Sequence, residues 1–492
     1  MEDYLIGVDI GTSSIKAVLT TPVGEIVARS TVHYPTHHPQ PGWAEQDPEH
    51  WWKGAVEAIR SVTAGYPGRV AGIGVSGQGC GVTLVDQAGD VIRPAIIWMD
   101  SRSEPQCERL RQCCLEEVLV QNGKSPAPYN ADPVLLWLIE NEPESIRRAE
   151  TSLTTTAYLN FRLTGQKVAN RSDASLLMAF DLAAKTWSEE LIEKFEIPRR
   201  LYPPLADCAE VIGELTPAAA QELGLQAGIP VVAGGEDTSS AGMAMGAVKE
   251  GYAFLSLGTA GTVYMPTTGR HVRPELLTFL HVLEGQYLIG GSMAALGASL
   301  SWLHKLLGQD REIDSLIDLA AQSQPGAGGL IFLPYMSGEL QPINDGYARG
   351  MFFGLSLSTE LKDIVRAVLE GTAYAVAHNL ALIESLGIPI TEVRAVGGPT
   401  RSALWCQIIA DVIGRPLHVV SREAGAPLGN ALLAGQGVGL IENAAGAALQ
   451  AARVEHSHQP DMHKHEHYQR MFEVYCQLYP QVKEQYARLA QL

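Results

Sequence analysis

Residues 231–265 read VVAGGEDTSSAGMAMGAVKEGYAFLSLGTAGTVYM. The stretch starts as a buried strand over residues 230–233, turns on Gly234-Gly235, and sets Asp237 at the mouth of a small-residue helix. A second strand, Tyr252–Leu257, meets the turn Gly258-Thr259 and returns along a third. The same design stands near the N-terminus. There YLIGVDIGTSSIKAVL, residues 4–19, has two apolar, β-rich runs split by Gly11-Thr12-Ser13-Ser14. Backbone N–H groups cradle a phosphate chain only where no Cβ blocks the approach, which selects Gly in such turns. Thr and Ser beside the Gly add hydroxyl donors. Two such hairpins predict an α/β protein of two lobes, with a nucleotide's phosphates held between them. Asp237 suits a helix N-cap. A helix N-terminus also favours the ionised carboxylate, the form a proton acceptor needs.

The chain has 492 residues, too many for one ordinary core, so two lobes are expected, 1–248 and 249–492. With 46% hydrophobic and 18% charged residues it has the composition of a soluble globular protein. A formal charge of −18 argues against a nucleic-acid partner. An anionic nucleotide must then be captured by local amides, Mg²⁺ and a few cations such as Lys16. The seven cysteines are irregularly spaced with no CxxC pair, which fits a reducing compartment and no zinc ribbon. The N-terminus runs straight into a strand, and no apolar run reaches the roughly 18 residues that span a bilayer. A cytoplasmic enzyme without membrane contact is expected.

Residues 5–10, 15–19 and 25–31 predict an antiparallel meander whose glycine turn joins strand to strand. The P-loop pattern GxxxxGK[ST] is absent. Asp9, at a strand end beside a phosphate turn, is placed to hold Mg²⁺ through water. Asp47-Pro48 starts a helix with Trp51, Trp52, Val56 and Ile59 on its apolar face. Gly72, Gly74 and Gly77 satisfy GxGxxG, but another strand follows, so a dinucleotide reading fails on context. Instead, strands at 70–76, 82–85 and 95–99 frame the loop 77–81 and end at Asp100 and Arg102. Such loop ends suit a small polar substrate. Cys80 reads there as an inert pocket-lining thiol. Residues 104–200 turn helical, as an insertion and cap.

The second half repeats the hairpin, without a strict sequence repeat. Thr216 and Pro217 open a helix over Pro217–Leu223, and Ser358 or Thr359 caps one over 361–386. A strand at 392–396 enters GGPTRSALWCQIIADVIG, where Gly397-Gly398 lets backbone pass under an adenine or ribose. His463 and His467, spaced i, i+4, match a metal pair on a helix face. No acidic or cysteine cluster completes it, so the segment reads as a solvated linker into a final helix over 468–489.

With these residues in view, the chain resembles the FGGY family of carbohydrate kinases, most closely its D-xylulose-phosphorylating branch. The likeness runs through VDIGTSSIKAVL, GWAEQDPEHWW, SGQGCGVTLVD, IRPAIIWMDSR, GGEDTSSAGMAMG, SLGTAGTVY, GSMAALGASLSWL, VGGPTRSALWCQIIADVIGRPL and GAPLGNALLAG. It implies two RNase-H-like lobes of the actin-like ATPase fold, closing over ATP and Mg²⁺, and a homodimer is compatible with it. It implies that Asp237 is the catalytic base and that Asp9 stands at the metal–phosphate end. Gly11, Thr12, Ser13 and Lys16 match the first phosphate hairpin, and Gly258 and Thr259 the second. Gly297, Ser301, Gly397, Gly398 and Ser402 match the nucleotide pocket. Gly79 and Cys80 fall at the sugar, and Asp100, at its strand end, is expected to bind it too. The chain departs from the family at Gly79-Cys80, where Met-His is usual, at Val134 for Lys, and at Pro399 for a third Gly. Loss of an imidazole partner keeps L-xylulose, ribulose, gluconate or a polyol as alternative acceptors. An actin-like or chaperone-like ATPase with no sugar is the rival class.

Overall fold

The computed structural model describes residues 2–66, 68–308, 312–421 and 425–490. The first sheet contains β1 (Asp3–Ile10), β2 (Ser14–Thr20), β3 (Ile26–His33), β4 (Arg69–Gly77), β5 (Val211–Glu214) and β6 (Pro230–Val232). Its order is β5-β6-β4-β1-β2-β3. Strands β1, β2 and β3 form the expected antiparallel meander, while β4 joins β1 in parallel. Its inward residues Ile6, Val8, Ile10, Ile15, Ile73 and Val75 pack on Trp51 and Trp52 of α1 (Pro48–Thr63). Asp47 caps that helix by accepting from Glu49 N, with Pro48 in the first turn.

The second sheet contains β7 (Tyr252–Leu257), β8 (Gly261–Thr267), β9 (Leu277–Leu280), β10 (Tyr287–Met293), β11 (Glu392–Gly397), β12 (Leu417–Val420) and β13 (Val454–His458). Its order is β9-β10-β8-β7-β11-β12-β13. Here too a hairpin strand, β7, pairs antiparallel on one side and parallel with β11 on the other. The plan of the first sheet therefore recurs: a meander, then two parallel strands, then an antiparallel edge.

Further helices are α2 (Glu104–Gln121), α3 (Asp237–Ala244), α4 (Gly297–Leu306), α5 (Leu361–Glu384), α6 (Ala403–Ile413), α7 (Ala426–Gly437) and α8 (Met462–Leu489). Helix α7 lies against the first sheet although it comes from the second half of the chain. A Cβ on Gly7 would fall 1.7 Å from Pro427 O, and one on Gly74 2.2 Å from Asn430 O, so α7 sits directly on β1 and β4.

Three local expectations need correction. The strand placed at 95–99 is two residues long, Ala95–Ile96, because Trp98 and Met99 turn out to solvent. Helix α5 is capped by Glu360 and Asp363, each side chain accepting from the other's backbone N–H, and not by Ser358 or Thr359. Ser356 and Thr359 close a turn of their own. Residues 462–467 are the first turns of α8, not a linker. Asp461 caps this helix, and His465 Nδ1 meets Asp411 O of α6 at 2.9 Å. Among the described residues no group of three or more His, Cys, Asp or Glu could hold a metal ion, and no helix is long and apolar enough to cross a membrane.

Candidate active site

The N-cap of α3 is Glu236, one residue earlier than the sequence suggests. Its carboxylate accepts from Ser239 N at 2.7 Å, and Gly235–Glu236 pairs with the end of β4. That leaves Asp237 as the first helical residue, half-buried and accepting the Thr238 hydroxyl at 3.0 Å. Glu236 is fully enclosed, and burial followed by the neighbouring Asp237 charge holds its carboxyl far above the ordinary range. Asp237 faces the cleft at the positive end of the helix.

Asp9 lies at the end of β1, paired in register with Ser76 and Lys16. Ser76 Oγ donates to it at 2.9 Å, and Lys16 Nζ stands 3.9 Å away. Burial, and then the charge of Asp237, raise its carboxyl to about 6. Asp9, Lys16 and Asp237 share a cleft of about 500 Å³ with Ser256, Thr262 and Gly397 of the second sheet and Gly398 just beyond it. Ser256 stands in β7 where Asp9 stands in β1, one residue from the strand end, and Thr262 faces it as Lys16 faces Asp9.

A second cavity of about 670 Å³ adjoins the first, and Gly398 belongs to both walls. It gathers Gly258, Thr259, Gly297, Ser301 and Ser402, with Trp405 and Arg401. The second hairpin is bolted to α4, because Gly297 N donates to Gly258 O and Ala298 N to Thr259 O, both at 3.0 Å. The Ser402 hydroxyl accepts from Trp405 N and so starts α6, and Ser301 Oγ donates to Gly297 O. Gly11, Thr12 and Ser13 line neither cavity. Their turn is held from outside: Tyr34 and Gln46 donate to the Gly11 and Thr12 carbonyls, and Trp98 Nε1 donates to Thr12 Oγ1.

The loop with Gly79 and Cys80 is closed by the helical insertion. Cys80 is buried with φ +60°, and burial pushes its thiol up to about 12. A Cβ on Gly79 would come within 2.6 Å of Leu176 Cδ1, so Leu176 fills the space a longer side chain would need. Gln78 Oε1, Thr155 Oγ1 and Asn130 Nδ2 are buried there without a protein partner, as groups awaiting a small polyhydroxylated ligand would be. Asp100 differs from its expected role. Its enclosed carboxylate accepts from Ala44 N, Arg102 N, Arg102 Nε and Arg102 Nη2 at 2.6–2.9 Å. It anchors Arg102 under Trp43 and offers nothing to a sugar.

Sequence reading missed three residues. Lys124 is buried and donates to Asn122 Oδ1, Ser175 O and Thr278 O, so it ties the insertion to β9. Asp173 is enclosed beside Asn170, which donates to it at 2.7 Å. Asn430 of α7 donates to Val8 O of β1 and accepts from Ser240 of α3, both at 3.1 Å, joining the elements that carry Asp9 and Asp237. Lys124 and Asp173 fall outside the quoted family blocks, and Asn430 lies in GAPLGNALLAG without having been singled out. The one sequence signal is the polar residue itself inside an apolar run, as with Asn430 in APLGNALLAG.

Two sheets of one hairpin plan with a cleft between them give the two-lobed architecture of the actin-like ATPase fold. Descriptions of the FGGY family of carbohydrate kinases match this chain over residues 4–244 for the N-terminal domain and 253–437 for the C-terminal domain. The chain is 35% identical to a xylulose kinase of Escherichia coli K12 over 97% of its own length and 99% of that protein's. The crystal structure of xylulose kinase from Rhodospirillum rubrum superposes with a TM-score of 0.94 at 32% identity, covering 98% of this chain and 100% of that one. Gluconate kinase from Lactobacillus acidophilus superposes with a TM-score of 0.95 at 25% identity, covering 99% and 100%. The chain belongs to the FGGY family of carbohydrate kinases, enzymes that transfer phosphate to an alcohol group.

Proposed function

We propose that this protein transfers the γ-phosphate of ATP to the terminal hydroxyl of D-xylulose, giving xylulose 5-phosphate. The observation that carries the reading is the shared wall at Gly398, where a nucleoside-sized cavity opens onto the cleft holding Asp237, Asp9 and Lys16. Asp237 accepts the hydroxyl proton, and the freed oxygen attacks the γ-phosphorus in line. Lys16 and the Gly258–Thr259 turn bear on the negative charge of the phosphates, and lobe closure brings the Gly11–Ser13 turn, outside both cavities, onto them. Closure of the lobes excludes water from the transfer.

Asp9 suits a magnesium ion: it is an oxygen donor at a strand end, and a cation would offset the burial and the Asp237 charge that raise its carboxyl. When bound, the ion supplies neutralisation of the phosphate charge. Among the described residues, Asp9 and Asp237 are the carboxylates lining this cleft, so most of the ion's ligands would be phosphate oxygens and water.

The xylulose assignment rests on the relatives of that name at 30–35% identity over nearly the whole chain. Cys80 in place of an imidazole favours a second reading, a sugar acid or other ketose, and the gluconate kinase neighbour supports it. Coupled ADP release over a panel of pentuloses, polyols and gluconate separates the two. D-Xylulose giving the highest kcat/KM is the expected result. Asp237→Asn should lower kcat by ~10²–10⁴ while ATP binding by calorimetry stays intact. Near-native turnover in that variant would remove Asp237 from the role.

A further inference from the structure

Helix α2 does not run straight. At Cys114 its backbone leaves the helical region, with φ −155° and ψ 23°. Adjacent residues of a regular helix point to different faces, so neighbouring cysteines normally diverge. The break turns Cys114 back beside Cys113, and the two Sγ atoms lie 2.8 Å apart. Both sulfurs sit over the Leu110 carbonyl. Cys113 is exposed and Cys114 buried, so one partner meets reagents from solution and the other waits behind it. A surface crevice of about 820 Å³, walled also by Arg111, Arg270 and Val272, leads to the pair.

We propose that Cys113 and Cys114 form a redox-active vicinal dithiol, which a peroxide closes to a disulfide through the small ring of their shared peptide. The Cys113 sulfur, as thiolate, attacks one peroxide oxygen and the O–O bond breaks. The released hydroxide takes up the Cys113 proton and leaves as water, and Cys113 becomes a sulfenic acid. The Cys114 sulfur then attacks the Cys113 sulfur, the S–S bond forms and the S–O bond breaks. The second hydroxide leaves with the Cys114 proton as water. The two thiols lose an electron pair and the peroxide gains it. Burial, and then the neighbouring Cys113, push the Cys114 thiol up to about 12, so Cys113 is the sulfur oxidised first.

The position gives the pair a handle on both lobes. Beyond the break, the Val120 and Gln121 carbonyls accept from Arg270 Nη1. Asn122 and Lys124 then bond to Ser175 O, and Lys124 also to Thr278 O in β9. Closing the ring fixes the break in the helix that leads into these ties.

The test treats the reduced full-length protein with hydrogen peroxide, blocks remaining thiols with an alkylating reagent, and maps peptides by mass. The peptide holding residues 113–114 should lose one pair of hydrogens, resist alkylation, and recover both thiols with dithiothreitol. Phenylarsine oxide, which needs two neighbouring thiols, should bridge the same pair with loss of water and protect it from peroxide. Cys113→Ser should abolish both products, and Cys107→Ser should leave both. The proposal is overturned if Cys113 oxidises to sulfinic acid while Cys114 stays alkylatable. It is equally overturned if Cys113 pairs with a different cysteine or a second molecule, or if the arsenical binds elsewhere.

Discussion

Deprived of water, a carboxyl group keeps its proton, and Asp173 is such a group. Burial first, with the charge of Asp237 adding to it, raises it to about 7, against the opposing hydrogen bonds of Thr156 and Asn170. The unfolded chain ionises this side chain near pH 3.8 and the folded chain only near 7. Stability is therefore lost as pH rises between those values, and the full penalty stands above 7. Asp173→Asn removes it: its melting temperature should match wild type at pH 4 and exceed it increasingly up to pH 7, then by a constant margin. Calorimetry across that range checks the slope. At Gly79 the prediction is steric. Gly79→Met should destabilise by about 1–3 kcal/mol against Leu176, and Leu176→Ala should recover most of it in the double variant, read by denaturant midpoints. The two Gly-Thr hairpins at Gly11 and Gly258 were legible in the sequence, because a tight strand-to-strand turn is written in its own residues. Leu176 and Asp173 were not, because their roles come from what the fold packs against them.

Among the elements, α3 shows how a one-residue shift decides chemistry. Glu236 and Asp237 are both good acceptors for a helix start, and composition alone favours Asp. The pairing of Gly235 and Glu236 with Ser76 and Gly77 of β4 sets which of them lies outside the helix, and that pairing is tertiary. Glu236→Ala should cost about 0.5–2 kcal/mol of stability and lower kcat together, since the first turn carrying Asp237 loses its anchor. Glu236→Gln keeps an acceptor for Ser239 N and should restore both readouts. A fall in kcat in the Gln variant equal to that in Ala would instead give Glu236 a charge-dependent part in the reaction. The long helix α5 was displaced in the same way, its cap falling on Glu360. The sequence carried the existence and direction of both helices, while their first residues depended on strands and turns that arrive from elsewhere.

Across the whole molecule, the recurrence of one sheet plan explains why Asp9 and Ser256, and Lys16 and Thr262, stand in matching positions yet differ in chemistry. One copy brings charge to the cleft, and the other brings hydroxyls and bare backbone to it. The hairpins announced this duplication, but α7 did not. Its small and apolar residues gave no hint that it would cross back to the first sheet. Leu5, Ala71, Val232, Leu428, Ala431 and Leu432 form one buried cluster there. Cutting the chain between the halves would therefore not yield two self-sufficient pieces. A fragment of residues 1–248 should aggregate when expressed alone, with a bare sheet face where α7 belongs. Supplied in trans, residues 249–492 should rescue its solubility and reconstitute turnover, because the missing wall travels with them.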